Sequence, residues 1–157
     1  MIKNLYETHL QVQHLQRSID FYQALGLTLA LEIPERKLAF FYIGEERQML
    51  GLWEVPAGQS VHRRHFAFGT ELSLLTGAFD WLKERGIEPL PAFGKAPLEP
   101  VVHPWMPAAA VYFPDPDENE LELIAWLPDQ PLAIETVPYL NEWNNLVAAS
   151  QGAQQSN

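Results

Sequence analysis

The sequence predicts an α+β fold made of two copies of one strand–helix–three-strand module (βαβββ). Three segments recur in the same order along the chain, which indicates an internal duplication. Several of the predicted strands also alternate apolar and polar residues, the pattern of a sheet with one buried face. The 157 residues are enough for a single domain of two such modules.

The clearest repeat aligns Ser18–Leu27 with Ala78–Ile87. Both segments are amphipathic and reach a glycine, Gly26 or Gly86, which is typical of a helix that ends in a left-handed residue. Two further matches lie on either side of it, Thr8–Gln13 with Arg64–Gly69 and Phe41–Gly44 with Val111–Pro114. Only loop insertions in the second copy are needed to align all three.

Each module is expected to contain one helix and four strands. In the first module, residues 5–56, the helix is predicted near Gln16–Leu25 and the strands near Tyr6–Gln13, Leu27–Ile33, Leu38–Ile43 and Met49–Val55. In the second module, residues 61–127, the helix is predicted near Ser73–Arg85 and the strands near Arg63–Gly69, Ile87–Pro89, Ala108–Phe113 and Glu120–Trp126.

The segment Pro89–Pro107 is predicted to be a long loop, because it holds six prolines, which fit neither a helix interior nor a central strand. Loops of this length in compact domains are often functional. The two modules are expected to form one domain over residues 1–130. Residues 131–157 are expected to form a C-terminal arm, with a short helix or extension at Leu132–Leu146, and a disordered tail rich in Gln, Asn, Ala and Ser.

Composition excludes several classes of function. Acidic residues outnumber basic ones 20 to 10 and the formal net charge is -10, so a nucleic acid or an anionic membrane would be repelled. No apolar run approaches the roughly 20 residues of a membrane span, and the N-terminus lacks a signal-peptide pattern, so we expect a cytoplasmic protein. The absence of cysteine excludes disulfides, zinc–thiolate sites, iron–sulfur clusters and cysteine nucleophiles.

Three residues on polar strand faces are candidate metal ligands, namely His9, His65 and Glu122. His9 and His65 occupy matching positions in the repeat. Two imidazoles and one carboxylate from separate strands would form a 2-His-1-carboxylate set, which is typical of Fe(II) and also suits Zn, Mn, Ni or Co. The alternative is that both histidines are hydrogen-bonded wall residues and that Glu122 is solvated at a sheet edge.

Three segments resemble the vicinal oxygen chelate superfamily, which includes glyoxalase I, fosfomycin-resistance proteins, extradiol dioxygenases and bleomycin-resistance proteins. They are HLQVQHLQRSIDFYQALGL, RHFAFG and VYFPDPDENELEL, within a resemblance that covers about residues 5–127. The resemblance implies one divalent metal ion (Fe, Mn, Zn or Ni) held by His9, His65 and Glu122 inside an open U-shaped barrel. That barrel would close within one chain or be completed across a homodimer. The resemblance also implies a small-molecule substrate that chelates the metal through two neighbouring oxygens.

One departure concerns a fourth ligand, which glyoxalase I-like members take from a Glu on the last strand of the first module. Here Gly51 aligns with Glu122. Glu54, three residues further on, should point to the other face of the strand unless a bulge intervenes. The fourth position is therefore predicted to be open to water or substrate, which weakens the glyoxalase I interpretation.

The segment VVHPWMPAAAVYFPDPDENELE resembles the extradiol dioxygenase motif, with His103, Tyr112 and Glu122 separated by 9 and 10 residues. The resemblance implies that His103 and Tyr112 are catalytic residues that assist proton transfer and orient a bound diol. Alternatively, His103 caps a turn of the proline-rich loop and Tyr112 is ordinary wall packing. Asp115 and Asp117 are expected to form a turn rather than to bind metal.

We therefore expect a metal-dependent enzyme of the glyoxalase/dioxygenase group, with extradiol-type oxygenation of a catechol-like compound slightly favoured. The enzymatic alternatives are a glyoxalase I-like lyase or isomerase and a thiol transferase of the fosfomycin-resistance kind. A non-enzymatic alternative is a metal-free protein of the bleomycin-resistance type that binds a drug or flat ligand, for which the acidic charge suits a cation. A partner module without activity is a weaker alternative.

Overall fold

The computed structural model describes residues 1–154 and divides into two compact units. The first unit comprises Met1–His65 together with Asp115–Glu120, and the second comprises Phe66–Pro114 and the chain from Leu121 onward. Each module forms one four-stranded sheet, in which its first strand lies beside its fourth, the fourth beside the third, and the third beside the second. The predicted fold class of two βαβββ modules is confirmed.

The first module follows the predicted order of elements closely. It contains β1 (Glu7–Val12), α1 (Leu15–Ala24), β2 (Thr28–Ile33), β3 (Leu38–Ile43) and β4 (Gln48–Glu54), with a 3-10 turn at Pro34–Arg36. Strand β1 runs parallel to β4, whereas β4–β3 and β3–β2 are antiparallel. Leu10 and Val12 are buried and alternate with more exposed neighbours. The alternation predicted for this strand is confirmed, because one face packs in the core.

The second module contains β5 (His65–Gly69), α2 (Leu72–Leu75), α3 (Ala78–Lys83), β6 (Val101–His103), β7 (Ala108–Pro114) and β8 (Glu120–Trp126). The single helix predicted at Ser73–Arg85 is wrong, because α2 ends before Gly77 and α3 begins after it. Glycine is a poor residue for a helix interior, and the Gly77 N–H bonds to the Leu74 carbonyl as in a tight turn.

The strand predicted at Ile87–Pro89 is also wrong, since the corresponding strand is β6, inside the segment predicted to be a loop. Prolines around residue 90 remove backbone donors, and the Leu90 N–H makes one bond to the Tyr112 carbonyl. Strand β6 is only three residues long and lies at an edge of its sheet. An edge strand needs partners on one side only, which makes it compatible with nearby prolines.

A turn at residues 115–119 links β7 to β8 and is organised by the buried carboxylate of Asp115. Its Oδ1 accepts the N–H groups of Asp117 and Asn119, and its Oδ2 accepts from the Asn119 amide and the Tyr22 hydroxyl of α1. The prediction that Asp115 and Asp117 form a turn is confirmed. Burial raises the pKa of Tyr22 well above its ordinary value, and the Asp115 carboxylate raises it further.

The C-terminal arm ends in a 15-residue helix, α4 (Leu140–Gln154), which overlaps the short helix or extension predicted at Leu132–Leu146 and continues into the segment predicted to be a tail. Trp143 is fully buried and its indole N–H donates to Asp129 at 2.8 Å. The Leu140 N–H donates to the Pro100 carbonyl, which ties the start of the helix to the chain just before β6. These long-range contacts order a polar helix that its composition alone would not stabilise. Residues 155–157 of the predicted tail lie outside the described residues.

Within residues 1–154, no helix combines the length and the apolar character that a membrane span requires.

Removal of the buried Trp143 side chain of α4 should destabilise the second unit. Because Trp143 is fully buried, we expect Trp143→Ala to lower the free energy of unfolding by about 3–5 kcal/mol and to speed amide exchange along α4. Leu146→Ala, on the same helix but 41% exposed, is the matched control and should cost much less. Equal effects of the two variants in urea unfolding and hydrogen exchange would show that Trp143 does not anchor the helix.

Candidate functional site

Three side chains from adjacent strands meet in the second unit, namely His103 of β6, Tyr112 of β7 and Glu122 of β8. Their positions follow from the sheet order β8-β7-β6. His103 Nε2 lies 2.9 Å from the Tyr112 hydroxyl oxygen and 3.9 Å from Glu122 Oε1. The three residues are 5%, 8% and 3% exposed, respectively. A carboxylate, an imidazole and a phenol thus share one buried polar cluster, the combination that proton transfer uses.

Aromatic side chains of the proline-rich segment cover this cluster. The Trp105 ring stacks on the His103 ring, with 5.1 Å between centroids and 6° between planes. Phe93 meets His103 edge-on at 5.6 Å and Tyr112 edge-on at 6.1 Å. Phe93 has a φ of 51°, an unusual value for a bulky residue and one that often marks a functional site.

Phe93 and Trp105 were not predicted as site residues. The one available signal was the presence of two aromatics in a segment whose prolines suggested a functional loop. Their side chains are 54% and 58% exposed although they touch buried polar groups. They therefore form an apolar rim that limits the access of water to His103 and Tyr112.

His65 begins β5 and is oriented by the neighbouring strand. Its Nδ1 lies 3.0 Å from the backbone carbonyl oxygen of Glu120. A carbonyl can only accept, so Nδ1 carries the proton and the lone pair of the neutral ring is on Nε2. Metal-binding histidines are commonly held by such a bond to a carbonyl, so the tautomer of His65 suits a ligand.

His9 of β1 lies in a different environment. Its ring contacts Phe40 edge-on at 5.6 Å, and the indole N–H of Trp53 donates to its Nδ1 at 2.5 Å. Its Nε2 lies 3.3 Å from a carboxylate oxygen of Glu7. His9 therefore has a partner within the first unit at each ring nitrogen, an indole donor at Nδ1 and a carboxylate oxygen near Nε2.

Across residues 1–154, no three His, Asp or Glu side chains lie close enough together to hold a metal ion. His9 and His65 belong to the first unit and Glu122 to the second. The donor chemistry of this set, two imidazoles and one carboxylate, fits a divalent ion. The ligand set of His9, His65 and Glu122 stays a prediction.

The fold agrees with a family comparison. The family described as the Glyoxalase/Bleomycin resistance protein/Dioxygenase superfamily matches residues 5–123. The chain belongs to this superfamily.

Several solved structures have folds similar to that of the chain. An integron cassette protein, HFX_CASS4, from the mobile metagenome of the Halifax Harbour sewage outfall is 28% identical, with a TM-score of 0.67, over 79% of this chain and 99% of that chain. A glyoxalase/bleomycin resistance protein/dioxygenase from Nocardioides is 26% identical, with a TM-score of 0.62, over 85% and 90%. The fosfomycin resistance protein FosX from Listeria monocytogenes, solved with Mn(II) and sulfate, is 23% identical, with a TM-score of 0.60, over 82% and 94%. No curated protein sequence is significantly similar to the chain.

Glu54 is the residue that could have supplied the superfamily's fourth ligand. Its carboxylate instead accepts the Leu15 N–H at 2.9 Å and the Lys37 ammonium at 2.5 Å. Because His14 makes no side-chain cap, Glu54 takes over the capping of α1. The Leu15 N–H and then Lys37 lower the pKa of Glu54. In the described conformation Glu54 therefore has a structural role.

The capping role of Glu54 predicts a pH-dependent contribution to stability. Because its pKa is lowered on folding, the contribution should be present above the ordinary value of 4.5 and disappear as the pH falls through the lowered pKa. We expect Glu54→Gln to reduce the free energy of unfolding by up to about 1 kcal/mol at neutral pH and by nothing in acid. Urea unfolding at several pH values measures this difference. Glu32→Gln, on exposed β2, is the control, and the prediction is wrong if both variants behave alike.

Proposed function

We propose that this protein is a divalent-metal-dependent enzyme that binds a small substrate through adjacent oxygens, with extradiol-type oxygenation of a catechol-like compound favoured. The observation that carries the proposal is the buried hydrogen bond between His103 and Tyr112, 2.9 Å long, beside the carboxylate of Glu122. Ordinary wall packing of Tyr112 does not require an imidazole partner. A turn-capping role of His103 does not require burial among aromatic rings.

The metal ion would be held by His9, His65 and Glu122, one ion per chain, with Fe, Mn, Zn and Ni as candidates. When bound, such an ion acts as a Lewis acid that stabilises negative charge on substrate oxygens. Two observations support the fit, namely the tautomer of His65 and the burial of Glu122 next to polar groups. FosX, a relative by fold, was solved with Mn(II). We further propose a homodimer in the cytoplasm, in which His9 of one protomer can meet the other ligands in its partner.

The chain's own residues would bind, orient and deprotonate the substrate. The His103 imidazole and the Tyr112 hydroxyl share one hydrogen bond, and this pair would orient a substrate hydroxyl and take part in moving its proton. The rim formed by Phe93 and Trp105 presents aromatic faces and edges to a flat ring. The same rim keeps bulk water from the buried cluster, which strengthens its electrostatic interactions.

Removal of the Tyr112 hydroxyl should impair turnover more than binding. We expect Tyr112→Phe to lower kcat for catechol cleavage by about 10²–10⁴-fold, with a smaller change in KM, in oxygen-uptake assays with Fe(II)-loaded protein. Tyr42→Phe is the matched control, because Tyr42 is the repeat partner of Tyr112 and contacts Arg47 instead of a histidine. Full activity of Tyr112→Phe would remove Tyr112 from the proposed site.

Removal of a ligand should abolish metal binding. We expect the wild-type protein to retain about one divalent ion per chain after loading and dialysis. His65→Ala should lose far more affinity than the roughly 10–100-fold that an outer partner costs. Elemental analysis measures the metal content. His14→Ala, which changes an exposed histidine at the start of α1, should bind like the wild type. Undiminished metal content in His65→Ala would contradict the proposed ligand set.

A metal-free ligand-binding protein is the second candidate function, and one observation favours it. Phe93 and Trp105 expose large aromatic surfaces on a chain of net charge -10, a combination that suits a flat cation. The two candidates differ in their response to a chelator. Ligand binding that a chelator leaves unchanged, without turnover of any diol or thiol conjugate, would favour this candidate. Lyase and thiol-transfer activities are the remaining enzymatic alternatives, and the same loaded protein can be screened for them.

A further inference from the structure

The position of the His9 ring depends on the absence of a side chain at Gly51. The two residues are paired across β1 and β4. A Cβ atom at Gly51 would lie 2.5 Å from His9 Nδ1 and 2.8 Å from Cε1, far inside contact distance. Because glycine leaves this space open, the imidazole lies directly over β4. The space that a side chain would occupy at this position is filled by the ring of His9.

This placement brings the His9 ring close to Trp53, which lies two residues after Gly51 on β4. The indole N–H of Trp53 donates to His9 Nδ1 at 2.5 Å. Indole nitrogen is a donor only, so Nδ1 must supply the lone pair. The proton of the neutral imidazole then lies on Nε2, which is 3.3 Å from Glu7 Oε1. The Trp53 donor at Nδ1 and the Glu7 carboxylate near Nε2 therefore both favour the Nε2–H tautomer of His9.

The neighbours of Trp53 hold this arrangement in place. The Arg36 guanidinium lies over the Trp53 ring, 5.2 Å from its centroid. The Phe40 ring packs edge-on against the His9 ring, with 5.6 Å between centroids. The contact between Trp53 and His9 is therefore part of a packed set of side chains in the first unit.

The selected tautomer conflicts with metal ligation, because a ligand nitrogen must present a lone pair to the ion. In His9 the lone pair of Nδ1 is taken by Trp53, and Nε2 carries the proton. We propose that Trp53 is a positioning residue that restrains metal uptake. His9 becomes a metal ligand only when its hydrogen bond from Trp53 is broken. This inference rests on the proposed function, in which His9 binds the metal.

The substitution Trp53→Phe tests the inference, because it keeps an aromatic ring for Arg36 and His9 and removes the N–H donor. In metal-free protein, ¹⁵N spectra of the imidazoles report the tautomers directly, with His9 assigned by its loss in His9→Gln. We expect wild-type His9 to be the Nε2–H tautomer and Trp53→Phe to shift it towards Nδ1–H. An Nδ1–H tautomer in the wild type would overturn the inference.

The second measurement is a titration with Mn(II) alone, followed by the electron paramagnetic resonance signal of the free ion. Loss of one neutral hydrogen bond that opposes ligation should tighten binding about three- to tenfold in Trp53→Phe. Trp126→Phe, which alters a 73% exposed tryptophan on β8, should bind like the wild type. Equal affinities of Trp53→Phe and wild type would overturn the inference while leaving the proposed function intact.

The failure of the proposed function has a different signature. If none of the proteins binds Mn(II), the proposed ligand set of His9, His65 and Glu122 is wrong. The inference that Trp53 restrains metal uptake is then also wrong, whatever the tautomer of His9. If Trp53→Phe does not fold, Gly51→Ala serves instead, because its methyl group must displace the His9 ring from Trp53. It should shift the tautomer and the Mn(II) affinity in the same directions, and unchanged values would overturn the inference.

Discussion

Burial of the Glu122 carboxylate is the constraint on which the candidate site depends. A buried carboxylate is costly unless polar neighbours or a cation compensate for it. The sheet order β8-β7-β6 provides those neighbours, because it sets Tyr112 and His103 on the strands next to Glu122. The short edge strand β6 is needed for this arrangement because it carries His103. The first residue of α4, Leu140, in turn donates its N–H to the carbonyl of Pro100, just before β6. The proline-rich segment, the C-terminal helix and the site are therefore coupled.

The duplication supplied two equivalent histidines whose chemistry then diverged. His9 and His65 begin from matching positions in the two modules, yet their ring nitrogens meet opposite partners. A carbonyl acceptor gives His65 a lone pair on Nε2, whereas an indole donor gives His9 a proton there. Whether a histidine is suited to bind a metal thus depends on more than its presence at the right position. It depends on the hydrogen-bond partner of the ring nitrogen that does not face the metal.

Superfamily membership alone leaves the reaction open, because similar folds support lyases, transferases, oxygenases and binding proteins. This chain is distinguished by features of individual side chains around the candidate site. Glycine replaces a possible fourth ligand at residue 51, Glu54 caps α1 instead, and an aromatic rim of Phe93 and Trp105 covers a phenol–imidazole pair. These features are the basis for proposing a site for a flat, oxygen-bearing substrate.

The sequence by itself determined the two-module order, the helix ends at Gly26 and Gly86, the alternation in β1, and the 9- and 10-residue spacing that joins His103, Tyr112 and Glu122. These are local periodicities and repeats, which adjacent residues encode. Only the tertiary structure decided that β6 forms among prolines, that α4 is ordered by buried Trp143, and that Trp53 reaches His9. Each of these depends on contacts between residues distant in the chain, where burial and hydrogen bonding override local propensity.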